Sequence, residues 1–256
     1  MATISEVLSR ERATPCGDSW LIDTELLLME ALACRRETLL IWPDREVDAD
    51  AQQRFDAMIA RRRGGEPIAY IVESREFWDF SLTVSPAVLI PRPETELLVE
   101  TCLELLSARA GAQRVVDLGT GSGAIAIALA RADVRFEVVG VELSAEALAI
   151  AQTNAERLAG DTLRFVQGSW LDASVCTALG GAVDLIASNP PYIAPGDAHL
   201  GRGDLRFEPA LALSCAEQGL ASILSIVEDC HKVLKKGGWL VLEHGFDQRD
   251  AVAAIL

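Results

Sequence analysis

Residues 114 to 130 run a strand, a glycine loop and a helix together without a break, an order that few folds accept. Arg114-Val115-Val116-Asp117-Leu118 is rich in branched apolar residues and reads as a buried strand. Gly119-Thr120-Gly121-Ser122-Gly123 follows it, and Ala124-Ile125-Ala126-Ile127-Ala128-Leu129-Ala130 is helix-forming. Such a run opens a Rossmann-like α/β fold, in which the glycines let a ligand approach the backbone and the helix N-terminus favours an anionic group. The loop alone leaves the ligand open. Gly119-x-Gly121-x-x-Ala124 satisfies the relaxed dinucleotide pattern as well as that of a methyl-donor site, so NAD competes with S-adenosylmethionine.

Asp117 tilts the balance toward S-adenosylmethionine. A carboxylate at the end of the first strand suits the cationic amino group of methionine and suits a pyrophosphate poorly. The next strand, Phe136-Glu137-Val138-Val139-Gly140-Val141, ends in Glu142, placed for the two ribose hydroxyls that both cofactors carry. A third strand, Leu163-Arg164-Phe165-Val166-Gln167, leads into Gly168-Ser169-Trp170-Leu171-Asp172. Trp170 by stacking, or Asp172 by accepting from the exocyclic amine, would lie beside an adenine.

The apolar run Val183-Asp184-Leu185-Ile186-Ala187-Ser188 stops at Asn189-Pro190-Pro191-Tyr192 and reads as another buried parallel strand, cut off at its carboxyl end. Ligands of open α/β sheets bind at such ends. Neither proline has an N–H and each has a fixed φ, so the local carbonyls are held rigidly and are free to accept. Together with the Asn189 side-chain oxygen they would clamp the two hydrogens of a planar NH₂ group, with the face of Tyr192 packed on its plane. A bare Asn-Pro pair is usually only a tight turn; the whole tetrapeptide behind a strand, downstream of a methyl-donor site, points to chemistry.

The chain resembles the bacterial release factor glutamine methyltransferases (the HemK/PrmC family). The resemblance is carried by Gly65-Glu66-Pro67-Ile68-Ala69-Tyr70, Arg75-Glu76-Phe77-Trp78, Ile90-Pro91-Arg92-Pro93-Glu94-Thr95-Glu96, the glycine loop, Asn189-Pro190-Pro191-Tyr192, Arg206-Phe207-Glu208-Pro209 and Leu242-Glu243-His244-Gly245. It implies a class I S-adenosylmethionine-dependent methyltransferase domain and methyl transfer to the side-chain amide of the glutamine in a Gly-Gly-Gln motif. It further implies that Gly119 through Gly123, Glu142, Trp170 and Asn189 line the cofactor site, and that Asn189, Pro190, Pro191 and Tyr192 hold the glutamine. Asn189, Pro190 and Tyr192 are then the catalytic candidates. Three departures stand out. Glu142 replaces the usual aspartate, Glu73 stands where the family has glycine, and the family's further antiparallel strands beyond the helix near Gln248 are absent from a chain that stops at Leu256. The alternatives are an adenine amino-methyltransferase of nucleic acid, which shares the Asn-Pro-Pro-Tyr motif, a glutamine methyltransferase of a ribosomal protein, an NAD-binding oxidoreductase, and a chain that binds S-adenosylmethionine without turnover.

Periodicity divides the chain into a helical segment, residues 1 to 75, a β-hairpin linker, 76 to 91, and a methyltransferase domain, 92 to 256. Thr24-Glu25-Leu26-Leu27-Leu28-Met29-Glu30-Ala31-Leu32 is the clearest helix, with Asp18 or Asp23 to start it, and Phe80-Ser81-Leu82-Thr83-Val84 alternates as a strand. The resemblance implies that the helical segment and hinge recognise the release factor. Arg61-Arg62-Arg63 reads as a solvated helix end, with a contact to an acidic patch on a partner as the other reading. Net charge is −15 over 256 residues, which disfavours a phosphodiester substrate and direct nucleic-acid binding. The six cysteines have neither C-x-x-C pairing nor zinc-site spacing and read as reduced core thiols; His199, His231 and His244 are scattered; no metal is expected. The N-terminus lacks a signal-peptide core and no stretch reads as a membrane span, so a cytoplasmic monomer is the expectation.

Overall fold

Apolar residues at helical spacing in the first third of the chain fold into helices around a core of their own. In the computed structural model, which describes residues 2–256, the chain divides into two units, Met1–Glu73 and Ser74–Leu256. The first contains α1 (Ile4–Arg12), α2 (Trp20–Leu32), α3 (Arg36–Ile41), α4 (Ala49–Arg63) and α5 (Ile68–Ile71). Ile4, Val7, Trp20, Leu27, Leu28, Phe55 and Ile59 fill its centre. Thr3 and Glu6 close a capping box at α1, and Asp48 caps α4 through the Ala51 N–H.

One expectation in this unit is corrected and one is refined. Helix α2 begins at Trp20, and neither Asp18 nor Asp23 caps it: Asp23 lies in its first turn, where its carboxylate accepts from the Ser19 hydroxyl and from Arg62 Nε at 2.7 Å. The basic run at the end of α4 is exposed at Arg61 and Arg63, as a solvated end would be, but its charges are paired within the unit. Arg61 pairs with Glu66, Arg62 with Asp23, and Arg63 with Glu11 while its guanidinium sits 4.9 Å over the Trp20 ring. The unit's own carboxylates take up the charge that a sequence shows as a bare cluster.

The second unit opens with an antiparallel hairpin, β1 (Ser74–Phe77) and β2 (Phe80–Thr83). It lies earlier than the alternation suggested, because Pro86 and Pro91 cannot donate to a ladder and leave the segment after Thr83 irregular. Then come α6 (Thr95–Ser107), β3 (Gln113–Leu118), α7 (Ala124–Ala132), β4 (Phe136–Glu142), α8 (Ala145–Leu158), β5 (Leu163–Gln167), α9 (Ala173–Leu179) and β6 (Val183–Ser188). After a long connection the chain forms α10 (Ala210–Leu213), a distorted turn α11 (Ala216–Gly219), α12 (Ala221–Cys230), β7 (Leu234–Leu242) and α13 (Arg249–Ile255).

The five-stranded sheet runs in the order β5-β4-β3-β6-β7, and every neighbouring pair is parallel. Every residue of β6 is buried, as expected for a strand covered on both faces. The order turns back between β3 and β6, and the Ser188 hydroxyl donates to the Leu118 carbonyl at 2.6 Å to tie those two carboxyl ends together. Asn154 of α8, fully buried, accepts from the Thr83 N–H and donates to the Thr83 and Ser122 carbonyls, joining the hairpin to the glycine loop. Of the cysteines only Cys102 is buried and Cys16 is exposed, so the reading of core thiols holds for one of them. Among the described residues no helix is long and apolar enough to cross a membrane.

Candidate active site

A cavity of about 400 Å³ opens where the strand order turns back. Gly119 and Gly121 of the loop after β3, Glu142 at the end of β4, Trp170 after β5, and Asn189 and Pro191 after β6 all line it. Val88, Leu89, Leu211 and Ala212 supply an apolar side. The sheet therefore brings together strand-end residues from Gly119 to Pro191 with residues as far off in the chain as Val88 and Ala212.

The glycine loop is shaped by what its members lack. Gly119 and Gly121 have φ of +73° and +56°, and a β-carbon on Gly119 would lie 3.3 Å from the Trp170 ring. Glu142 holds the loop: its carboxylate accepts from the N–H groups of Gly121 at 2.9 Å, Leu143 at 2.8 Å and Ser144 at 3.0 Å. An ionised carboxylate offers about four acceptor positions, so Glu142 retains one for a ligand hydroxyl. Thr120, Ser122 and Gly123 face inward and are absent from the cavity wall.

Asp117 is a correction. It was expected to meet a cationic amino group; it is fully buried beneath the loop and does not line the cavity. Its Oδ2 accepts from the Thr120 hydroxyl at 2.6 Å and the Ala126 N–H at 3.2 Å, and its Oδ1 has no partner. Burial pushes its carboxyl up to about 7, against the opposing pull of those two hydrogen bonds and with a further rise from Glu142. It shapes the loop from below.

Trp170 lines the cavity with φ of +45°, a conformation that costs a bulky side chain energy and marks functional positions. Asp172, the other candidate for an adenine contact, is spent elsewhere. It caps α9, accepting from the Ser174 hydroxyl and the Val175, Ser169 and Ser174 N–H groups, which hold its carboxyl down at about 2.

Asn189 Nδ2 donates to Thr95 Oγ1 at 3.1 Å, and the Thr95 hydroxyl donates to Glu243 Oε2 at 2.8 Å. Glu243 Oε1 accepts from the Tyr192 hydroxyl at 3.2 Å, and burial, with the Glu243 charge second, pushes that phenol up to about 12. Pro190 and Tyr192 do not line the cavity, although Pro191 does. The Pro191 carbonyl is taken by the Cys215 thiol and the Tyr192 carbonyl by Gln248 Nε2, while among the described residues no hydrogen bond reaches the Pro190 carbonyl. Thr95 and Glu243 were quoted in the sequence only as parts of longer motifs. Their link spans 148 positions, and no local pattern could join them.

Glu208, buried after the long connection, accepts from the Ile90 N–H at 3.0 Å and pairs with Arg92, so the segment before α6 is fastened to the segment before α10. His244 Nδ1 lies 2.8 Å from the Gly245 carbonyl. The set of groups around the cavity fits S-adenosylmethionine: glycines that leave room for a ligand against the backbone, an indole for a base, and an acidic strand end for a ribose.

Two family models match the chain, one described as the PrmC N-terminal domain over residues 16–72 and one as a methyltransferase domain over residues 110–253. The release factor glutamine methyltransferase of Vibrio cholerae is 47% identical over 240 residues, 94% of this chain and 82% of that protein. That of Pseudomonas aeruginosa is 44% identical over 256 residues, 100% of this chain and 90% of that protein. That of Escherichia coli is 43% identical over 230 residues, 90% of this chain and 81% of that protein.

Proposed function

The chain belongs to the family of release factor glutamine methyltransferases, and from that premise we propose that Asn189 and Pro190 hold the substrate glutamine in line for methyl transfer. The protein is an S-adenosylmethionine-dependent methyltransferase whose substrate is a release factor glutamine. The glutamine is that of the Gly-Gly-Gln motif. Bound S-adenosylmethionine supplies an electrophilic methyl group on a sulfonium.

An amide nitrogen is a weak nucleophile because its lone pair is delocalised into the C–N bond. Orientation is therefore the main demand on the site. The Asn189 Oδ1 and the Pro190 carbonyl accept the two N–H groups, fix the amide plane, and stabilise the positive charge that develops on nitrogen. Pro191 and the cavity's apolar side exclude water, and Tyr192 packs beside the amide. Gly119, Gly121, Glu142 and Trp170 hold the cofactor; Asp117, Thr120, Ser122 and Gly123 keep their loop in shape. The helical unit, residues 1 to 73, supplies the recognition surface for the release factor. The acidic charge of −15 supports a protein substrate over a nucleic acid, and a substrate that works in translation supports a cytoplasmic location.

The observation that carries this reading is Asn189 on the cavity wall with its amide nitrogen already engaged by Thr95. Mass spectrometry of the Gly-Gly-Gln peptide, after incubation of release factor with S-adenosylmethionine and the enzyme, tests it. One methyl on the glutamine is expected, falling at least about a hundredfold in rate with Asn189→Ala. An Asn189→Ala enzyme as fast as the parent would refute the clamp.

A further inference from the structure

We propose that Thr95 and Glu243 are positioning residues that lock the Asn189 side-chain amide in the one orientation that presents its oxygen to the substrate. The inference rests on the reading above, in which the Asn189 oxygen accepts from the substrate amide. A carboxylate only accepts, and a threonine hydroxyl has one hydrogen. The Thr95 proton is committed to Glu243 Oε2 at 2.8 Å, so the side of Thr95 Oγ1 that faces Asn189 at 3.1 Å can only accept. Asn189 must turn its NH₂ toward Thr95. Its carbonyl oxygen is thereby left for the cavity.

The orientation is thus dictated by a charge two hydrogen bonds away. Thr95 opens α6, Asn189 follows β6 and Glu243 follows β7, so the relay is held by three elements, with the buried Thr95 at its centre and Asn189 and Glu243 half-buried. The second oxygen of Glu243 accepts from Tyr192, which places both functional side chains of the Asn-Pro-Pro-Tyr turn under one carboxylate. Without the Thr95 hydroxyl, or with its proton released from Glu243, nothing prevents the Asn189 amide from turning over. A turned amide presents N–H to the N–H of the substrate and repels the group it must hold.

This role has a signature that a merely structural one lacks. An Asn189 amide free to turn over can donate to a carboxylate. The locked amide rejects one, so a release factor whose Gly-Gly-Gln glutamine is replaced by glutamate is a poor inhibitor of the parent enzyme. We measure kcat and KM for the native release factor, the Ki of the glutamate form, and S-adenosylmethionine affinity by calorimetry, for the parent, Thr95→Val, Thr95→Ser and Glu243→Leu, which leaves the Thr95 hydroxyl no acceptor at position 243. For Thr95→Val the expected result is a kcat lower by about tenfold to a hundredfold with KM within about threefold, unchanged cofactor affinity, and glutamate-form inhibition at least about tenfold tighter. Thr95→Ser, which keeps the hydroxyl, restores most of kcat and the weak inhibition. Should Thr95→Val lose its folded circular dichroism spectrum, the same kcat loss and tighter inhibition are required of Glu243→Leu. Either folded variant with parental kcat and parental Ki overturns the relay. A parent that leaves the native glutamine unmethylated refutes the reading beneath it instead, so the two failures are distinguishable.

Discussion

Asp117 makes this protein's stability depend on pH in a direction opposite to that of most carboxylates. Its side chain is fully buried, one oxygen has no partner, and burial pushes its carboxyl from the ordinary 3.8 up to about 7. The folded state therefore holds this proton over a range in which the unfolded chain has released it. Between about pH 4 and pH 7 the folded state binds more protons, so unfolding free energy falls as pH rises, and above about 7 the loss is complete. At about 1.4 kcal/mol for each tenfold in proton affinity, a rise from 3.8 to about 7 sets a ceiling of about 4 kcal/mol. Asp117→Asn keeps the shape, retains an acceptor for Thr120 and Ala126, and has no proton to lose. Urea unfolding of the cofactor-free protein, followed by circular dichroism and tryptophan fluorescence at half-unit steps from pH 4.5 to 8, measures the effect. The variant is expected to gain on the parent steadily through that window, by about 2 to 4 kcal/mol at pH 8, and to level off there. Parent and variant curves that stay parallel from pH 4.5 to 8 would show that Asp117 is ionised in the fold and that the assignment is wrong.

Two further substitutions test backbone geometry. Glu73 is exposed and sits at φ +56°, so Glu73→Gly should relieve about 1 to 2 kcal/mol of strain against about 0.5 to 1 of added chain entropy, and raise the melting temperature in a calorimetric scan; a lower melting temperature would contradict it. Gly219 has φ +86° and ends a left-handed run with Glu217 and Gln218 against the Asn-Pro-Pro-Tyr turn. A β-carbon there would fall 2.2 Å from the Tyr192 carbonyl oxygen, so Gly219→Ala should destabilise by more than about 2 kcal/mol and lower kcat at least about tenfold, read by thermal melts and the methylation assay; parental activity would refute the link between this turn and Asn189.

The α/β architecture and four of its five parallel strands were legible because each is a short, largely apolar stretch bounded by turn residues. β5 and β6 fall at the residues read, Leu163–Gln167 and Val183–Ser188, and β3 and β4 differ by one residue at an end. The signal is strongest in β6, buried at every residue, since a strand covered on both faces is mostly apolar. The identity of the glycine loop and of the Asn-Pro-Pro-Tyr turn was likewise local chemistry. The same local reading failed wherever a group's role depends on a distant partner. Arg61, Arg62 and Arg63 look like free charge in the chain and are consumed by Glu66, Asp23 and Glu11 in the fold. Asp117 looks like a ligand carboxylate at a strand end, and only the packing of α7 and the loop over β3 decides that it is sealed from the cavity. Asp172 and Trp170 were equal candidates until the start of α9 claimed the carboxylate as its cap. What the sequence alone determined is the set of backbone shapes and the chemical types at the strand ends, because these follow from glycine, proline and apolar periodicity within a few residues. What tertiary structure decided is which polar atoms are already spoken for, because a hydrogen bond such as Thr95 to Glu243 is set by distance in space and leaves no trace across 148 positions of chain.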